Sequence, residues 1–127
     1  MLAEVDTLLA ADALEDMLGS ERVSVMWLSA GLFHQMAEVR PEMFARLRCL
    51  IAGGDALSPE AVRRMLAHGR PGALVNGYGP TENSSLSAVH AMTGLGAGAE
   101  TMPIGTPVAN STAYVVRADG TGQASPD

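Results

Sequence analysis

The sequence has little cysteine and few basic residues. Cys49 is the sole cysteine among 127 residues, so the chain cannot close a disulfide within itself. Because Cys49 lies in an apolar run, we expect its thiol to be buried and unreactive. Lysine and arginine total 8, against 14 aspartates and glutamates, and the formal net charge is −6. Without a basic surface, neither nucleic acid nor an anionic membrane is an expected partner.

Long apolar runs are absent as well. No stretch approaches the roughly 18 apolar residues of a membrane span, and the N-terminus lacks the basic-then-apolar order of a signal peptide. We therefore expect a cytoplasmic protein. The histidines, His34, His68 and His90, show neither HxxxH spacing nor paired cysteines, so a metal or catalytic role is not favoured for them.

The chain does contain alternating helical and strand patterns. Apolar residues at helical spacing predict a helix up to about Leu18, with Gly19 as its stop. Two further helices are predicted after Ser29 and after Ser58, because serine can cap a first turn. In the third helix Pro59 takes the first helical position, and Glu60 places an acid near the positive end of the helix dipole.

Short apolar runs predict buried strands at residues 23–28, 47–52 and 72–75, and further strands at residues 84–90 and 112–116. Strands joined by helical crossovers are typical of a parallel sheet. The sequence therefore predicts an α/β fold with a mostly parallel sheet and flanking helices.

Residues 76–82, which read Asn-Gly-Tyr-Gly-Pro-Thr-Glu, follow the strand predicted at residues 72–75. In open α/β sheets, ligands bind beyond the carboxyl ends of the strands. Gly77 and Gly79 let the backbone turn sharply or approach a ligand closely, and Pro80 stiffens the turn. The stretch is therefore suitably placed for a bound nucleotide.

The side chains of this stretch suit a nucleotide too. Tyr78 can offer a flat face, Thr81 a hydrogen-bond donor to a phosphate, and Glu82 an oxygen ligand for Mg²⁺. An ordinary Gly-Pro turn, with Thr81 or Glu82 opening a helix, fits the same residues. Spacing alone leaves both interpretations open.

The heptapeptide resembles the NxYGPTE core motif of adenylation domains in nonribosomal peptide synthetases, which belong to the adenylate-forming superfamily. Residues 25–33, 47–59 and 103–110 also resemble adenylation-domain segments, in the same order and spacing. The resemblance implies that residues 1–127 are a fragment of a single AMP-binding domain. The fragment would be the central part of the large N-terminal domain of the adenylate-forming fold, with the small C-terminal domain absent.

Adenylation domains condense an amino acid with ATP, release pyrophosphate and pass the acyl group to the phosphopantetheine thiol of a carrier protein. The resemblance therefore implies ATP and Mg²⁺ as cofactors and an amino acid as the substrate. It implies a peptidyl carrier protein and condensation domains of the parent synthetase as partners. It also implies that the chain alone is inactive, since the family's pyrophosphate-gripping loop and catalytic lysine lie outside the matched segments.

The resemblance assigns roles around the nucleotide. Thr81 would hold the α-phosphate, Glu82 would bind Mg²⁺, and these two residues would be catalytic. Tyr78 would stack on the adenine and Asn76 would hydrogen-bond its edge, while the backbone of residues 54–56 flanks the same base. The implied nucleotide-binding set is Gly54, Asp55, Ala56, Asn76, Tyr78, Gly79 and Thr81. Asp55 also has a plainer interpretation, as a turn residue before the next helix.

The resemblance also implies a pocket for the side chain of the amino acid. Its lining would be Trp27, Ile51, Gly53, Gly77, Ser85 and Leu86. The side chains of Trp27 and Ile51 fill part of the pocket, and the two glycines leave space in it. No residue of the set is charged, so a neutral substrate is favoured. The set resembles pockets that accept valine or a similar small branched side chain. Ordinary core packing is the alternative for Trp27 and Ile51.

Two other hypotheses stay open at this point. The chain could be a fragment of an acyl-CoA or aryl-acid ligase of the same superfamily, or a truncated, non-catalytic binding module.

Overall fold

The computed structural model describes residues 10–80, 82, 86–96, 98–120 and 122–124. The helices are α1 (Ala11–Ser20), α2 (Ala30–Val39) and α3 (Pro59–His68), with a 3₁₀ helix at Pro41–Arg46. The strands are β1 (Val25–Ser29), β2 (Cys49–Gly53), β3 (Leu74–Tyr78), β4 (Ala88–Ala91), β5 (Thr106–Pro107), β6 (Tyr114–Val116) and β7 (Gly122–Ala124).

The main sheet has five strands in the order β1-β2-β3-β4-β5. Strands β1, β2 and β3 are parallel, whereas β4 and β5 continue the sheet in antiparallel pairing. Strands β6 and β7 form a separate antiparallel pair. The prediction of an α/β fold with helices flanking a mostly parallel sheet is confirmed, and the antiparallel strands lie beside β3.

Two of the helices pack on one face of the parallel strands. Helix α2 connects β1 to β2 and α3 connects β2 to β3, and right-handed crossovers that proceed in one direction place their helices on the same side. Leu28, Leu50 and Leu74, one from each parallel strand, are buried on that side. Trp27 points the other way and is 53% exposed.

Two sequence predictions are wrong because the sheet face opposite α2 and α3 is exposed. β1 was expected to be a buried strand, but its residues alternate between buried and exposed. Cys49, at the start of β2, is half-buried rather than buried. In both cases successive strand residues face opposite sides, and α2 and α3 lie on one of those sides.

The two serine caps were predicted correctly. The Ser29 hydroxyl accepts a hydrogen bond from the main-chain N–H of Leu32, and the Ser58 hydroxyl accepts one from Ala61, each at 3.4 Å. Helix α3 ends at His68, and Gly69 follows it as predicted. Helices α2 and α3 therefore begin where their local sequences indicate, whereas α1 continues through Gly19, its predicted stop, to Ser20.

Strand β3 is longer at its carboxyl end than the sequence indicated. The predicted strand ended at Val75, whereas β3 continues to Tyr78. Gly77 pairs with Gly53 of β2 on one side and with Val89 of β4 on the other. The expectation that Asn76 begins a loop is therefore wrong, because pairing on both sides extends the strand into the heptapeptide.

The core fills the space between the sheet and the helices. Its largest fully buried side chains come from the sheet, all three helices and the 3₁₀ helix; they are Phe33, Phe44, Leu14, Leu28, Met36, Leu50, Met65 and Val62. Helix α1 is also attached through Arg40, whose Nη1 lies 2.7 Å from Glu15 Oε2 and 2.6 Å from Asp12 Oδ1. The hydrogen bond to Glu15 and the charge of Asp12 raise the pKa of Arg40. None of the described helices has the length and apolar character that crossing a membrane requires.

Close backbone packing at Gly69 leads to a prediction about stability. A Cβ atom at this position would collide with the carbonyl group of Pro41. We expect Gly69→Ala to lower the free energy of unfolding by about 1 to 3 kcal/mol, the usual cost of overpacking. Urea denaturation followed by circular dichroism measures the change.

Gly31→Ala is the matched control, since Gly31 lies in α2 and a Cβ there would meet nothing within 4 Å. Alanine is the better helix former, so this variant should be at least as stable as the parent. Equal stability of both variants would contradict the packing interpretation.

Candidate functional site

The site lies where β2 and β3 end side by side. Gly53 is the last residue of β2 and pairs with Gly77 of β3. A Cβ atom at Gly53 would collide with the carbonyl oxygen of Gly77. A glycine is therefore needed at position 53 for the strands to approach, apart from any volume that it leaves for a ligand.

A cavity of about 430 Å³ opens at these strand ends. It is lined by residues 54–57 after β2, residues 76–80 at the end of β3, residues 100–102, and Ile104. The structure thus brings together Gly54, Asp55, Ala56, Asn76, Tyr78 and Gly79 of the nucleotide-binding set predicted from the sequence. Thr81, the remaining member, lies outside the described residues.

The loop after β2 presents its backbone to this cavity. Gly54 has φ of +87°, a conformation that side-chain-bearing residues rarely adopt. The Asp55 carboxylate accepts a hydrogen bond from the main-chain N–H of Ala56 at 2.7 Å, within the loop. Leu57 is buried and fixes the far end of the loop in the core. The loop can therefore offer a flat backbone edge to a planar ligand.

Tyr78 and Asn76 line the cavity in different ways. Tyr78 is 46% exposed, so one part of its ring is available to a ligand. Asn76 is buried, and its Nδ2 donates a hydrogen bond to the carbonyl oxygen of Pro103 at 2.7 Å. One amide proton of Asn76 is thus engaged within the protein, and the rest of the amide is left for a ligand.

The wall at residues 100–104 was missed by the sequence reasoning. Arg63 of α3 donates to the carbonyl oxygen of Ala99 at 3.2 Å, and Asn76 holds Pro103. Gly105 has φ of +87° and lies so close to β4 that a Cβ atom would collide with the Val89 carbonyl. The only signal in the sequence was a polar Asn76 beside a buried strand, which must find a partner but does not reveal which one.

A second cavity, of about 310 Å³, lies beside the first. Its lining is Trp27, Gly54, Gly77, Gly79 and Leu86. Trp27, Gly77 and Leu86 belong to the substrate pocket predicted from the sequence. Gly54, Gly77 and Gly79 line both cavities, so the two adjoin at the strand ends.

The remaining predicted pocket residues differ in position. Ile51 stands beside Gly77, since its Cγ2 would lie 3.2 Å from a Cβ atom built there. Gly53 serves the strand contact described above. Ser85 lies outside the described residues.

The donor set fits Mg²⁺ only together with a ligand. Among the described residues, no group of three or more histidine, cysteine, aspartate or glutamate side chains could hold a metal. Glu82 is exposed and follows the cavity residue Pro80 by two positions. Mg²⁺ commonly takes one or two carboxylates and completes its shell with phosphate oxygens and water, so a single carboxylate here is compatible with a metal that arrives with a nucleotide.

The fold and the site together define a class of protein. A glycine-rich backbone edge and an aromatic ring border one cavity beyond the carboxyl ends of parallel strands. A second cavity, with no charged side chain among its described lining residues, adjoins it. The fold and the site are thus those of an α/β protein whose cavities lie where open α/β sheets usually bind ligands.

Comparison with known proteins makes the assignment specific. The family model described as AMP-binding enzyme matches residues 1–127, and the chain belongs to this family. It is 42% identical over 125 residues to tyrocidine synthase 3 of Brevibacillus parabrevis, covering 98% of this chain and 2% of that protein. It is 39% identical over 121 residues to gramicidin S synthase 2 of Brevibacillus brevis, covering 95% of this chain and 3% of the relative.

Solved structures agree with the sequence relatives. The fold matches a nonribosomal peptide synthetase protein containing adenylation and PCP domains with a TM-score of 0.81 and 35% identity, over 92% of this chain and 24% of that one. An artificially fused adenylation-PCP di-domain from Klebsiella oxytoca gives 0.77 and 28%, over 88% of this chain and 21% of that one. The resemblance to adenylation domains is thereby confirmed, and the chain spans only a small part of the proteins that it matches.

The contact between Asn76 and Pro103 can be tested directly. We expect Asn76→Ala to lower the free energy of unfolding by about 1 kcal/mol, the net value of one hydrogen bond. The amides of residues 99–105 should then exchange faster with solvent, because one of their attachments is lost. Hydrogen exchange resolved by residue measures this effect.

Gln35→Ala, on the exposed surface of α2, is the control and should leave that segment unchanged. Unaltered exchange at residues 99–105 in Asn76→Ala would show that the amide does not hold the segment.

Proposed function

We propose that the chain is the part of an adenylation domain that holds the adenosine of ATP next to the side chain of a small neutral amino acid. The parent enzyme forms an aminoacyl adenylate for nonribosomal peptide synthesis. One observation carries the proposal: two cavities, each lined by residues predicted for one ligand, adjoin at Gly54, Gly77 and Gly79.

The larger cavity suits adenosine better than a triphosphate. Tyr78 offers an aromatic face, and Met102 and Ile104 offer apolar surface. The charged side chains among its described lining residues are Asp55 and Glu100, which repel phosphate. The phosphates would therefore extend out of this cavity, past Pro80 and the exposed Glu82.

The reaction joins two anions and so depends on positioning. A carboxylate oxygen of the amino acid attacks the α-phosphorus, a new O–P bond forms, and the bond to pyrophosphate breaks. Gly54, Gly77 and Gly79, at the border of the cavities, let both reacting groups approach without an intervening side chain. Thr81 would donate its hydroxyl to the α-phosphate, and Glu82 would hold Mg²⁺, which offsets the charge of the phosphates when it is bound.

The smaller cavity supports a neutral, valine-like substrate. Its described lining carries no charged side chain, and a charged substrate buried there would lack a partner. Trp27 and Leu86 bound the volume, and Ile51 stands behind Gly77. Discrimination among aliphatic side chains that differ by one methylene is worth only about 1 to 3 kcal/mol, so related amino acids should also react.

The partners follow from the architecture of the relatives. Two of the matched structures combine an adenylation domain with a PCP domain. We therefore propose that the acyl group passes to the phosphopantetheine thiol of a peptidyl carrier protein and that condensation domains of the parent synthetase use the product.

ATP/pyrophosphate exchange by the adenylation domain that contains this chain tests the proposal. Valine or a similar small branched amino acid should give the highest rate. A higher rate with a charged amino acid, a large aromatic one or an aryl acid would contradict the proposed substrate. Absence of exchange with every acid tested would contradict the activity itself.

Tyr78 should contribute to nucleotide binding through its ring. Stacking of a base on an aromatic side chain is worth about 1 to 3 kcal/mol, so Tyr78→Ala should raise the KM for ATP about tenfold, and Tyr78→Phe should change it little. Tyr114→Ala is the control, because Tyr114 is the other tyrosine and lies exposed on β6. Equal KM values for the two alanine variants would refute a stacking role.

Gly77 should limit the size of the substrate. A Cβ atom there would lie 2.8 Å from Leu86 Cδ2, and both residues line the smaller cavity, so an added methyl group should reduce its volume. We expect Gly77→Ala to shift the ratio of kcat/KM for alanine over valine upward by about tenfold. Gly31→Ala, which is not among the residues that line either cavity, should leave the ratio unchanged.

A further inference from the structure

His34 lies outside both cavities yet contacts the loop that lines them. It belongs to α2, and its Nε2 accepts a hydrogen bond from the main-chain N–H of Ser58 at 2.9 Å. The two residues are separated by 24 positions in the sequence. The contact thus joins α2 to Ser58, the N-cap residue of α3.

Ser58 needs this partner because its own helix does not supply one. In a capping box, the cap residue accepts a hydrogen bond with its side chain, and a glutamate or glutamine at the third helical position receives the N–H of the cap. The Ser58 hydroxyl makes the first contact, to the N–H of Ala61. The third helical position is Ala61 itself, which has no acceptor in its side chain, and His34 takes that role from another helix.

The contact helps to fix the position of Ser58, where the loop at residues 54–57 ends. Residues 54–57 line the larger cavity and connect Gly53, which is held against β3, to Ser58. The first end is therefore fixed by the sheet and Leu57 is fixed in the core, while Ser58 is held by its own helix through its hydroxyl and by α2 through the hydrogen bond from its N–H to His34.

A groove of about 320 Å³ surrounds His34 and is separate from the two ligand cavities. Glu38 of α2 and Glu60 and Arg64 of α3 line it with His34. None of these residues lines the nucleotide cavity. A change at His34 therefore does not alter the lining of the nucleotide cavity directly, and the loop is the contact that joins the two.

We propose that His34 is a positioning residue for nucleotide binding: it accepts the Ser58 N–H and so holds the backbone of residues 54–57 against the adenine. The inference rests on the proposed function, because it assigns the base to this cavity. The imidazole accepts this hydrogen bond through its unprotonated Nε2, which places the ring proton on Nδ1.

The experiment compares His34→Ala, which removes the acceptor, with His34→Gln, whose amide oxygen can replace it. His68→Ala is the control, since His68 is exposed at the end of α3. Hydrogen exchange of the Ser58 amide is measured without nucleotide, and the KM for ATP and kcat are measured by ATP/pyrophosphate exchange of the intact domain. Where His34→Ala does not fold, His34→Leu fills the same space without an acceptor.

In the alanine variant we expect faster exchange at Ser58 and a KM for ATP raised about fivefold, with little change in kcat. The glutamine variant and His68→Ala should resemble the parent in both measurements. An unchanged KM for ATP in a folded alanine variant would overturn the inference, as would a glutamine variant no better than alanine. If the parent domain shows no exchange activity, the proposed function fails, whereas Ser58 amide protection still decides whether His34 holds the loop.

Discussion

The parallel contact between β2 and β3 brings Gly53 opposite Gly77, and the backbones come closer there than a Cβ atom at position 53 would permit. Both cavities begin at this contact, because the loop after β2 and the end of β3 form their shared border. A side chain at position 53 would separate the strands and move the two borders apart. The glycine at this position is thus a condition for the site rather than a detail of its lining.

The site also depends on side chains that lie behind it. Asn76 holds the carbonyl of Pro103 and thereby the cavity wall at residues 100–104. His34 holds the N–H of Ser58 and thereby the end of the loop after β2. In each case a polar side chain satisfies a main-chain group from a distant part of the sequence. Such contacts preorganise a binding site, because the backbone that faces the ligand need not be ordered when the ligand arrives.

The sheet face opposite helices α2 and α3 is exposed among the described residues, which is unusual for a parallel sheet. Parallel strands are ordinarily covered on both sides, yet Trp27 is 53% exposed, and helices α2 and α3 share one side. The smaller cavity lies on the side of the sheet where Trp27 stands. The residues of β1 thus serve two faces, one packed on the helices and one beside the smaller cavity.

Local chemistry determined much of this protein from the sequence by itself. Ser29 and Ser58 marked the starts of helices through hydroxyls that cap their own first turns, and the heptapeptide from Asn76 carried the family resemblance in residue types that one ligand requires together. Tertiary structure alone decided the rest: β3 extends to Tyr78 because two neighbours pair with it, and residues 100–104 reach the cavity because Asn76 binds Pro103. A cap is a contact within one turn and can be predicted from a short pattern, whereas a hydrogen bond across 27 residues exists only once the chain has folded.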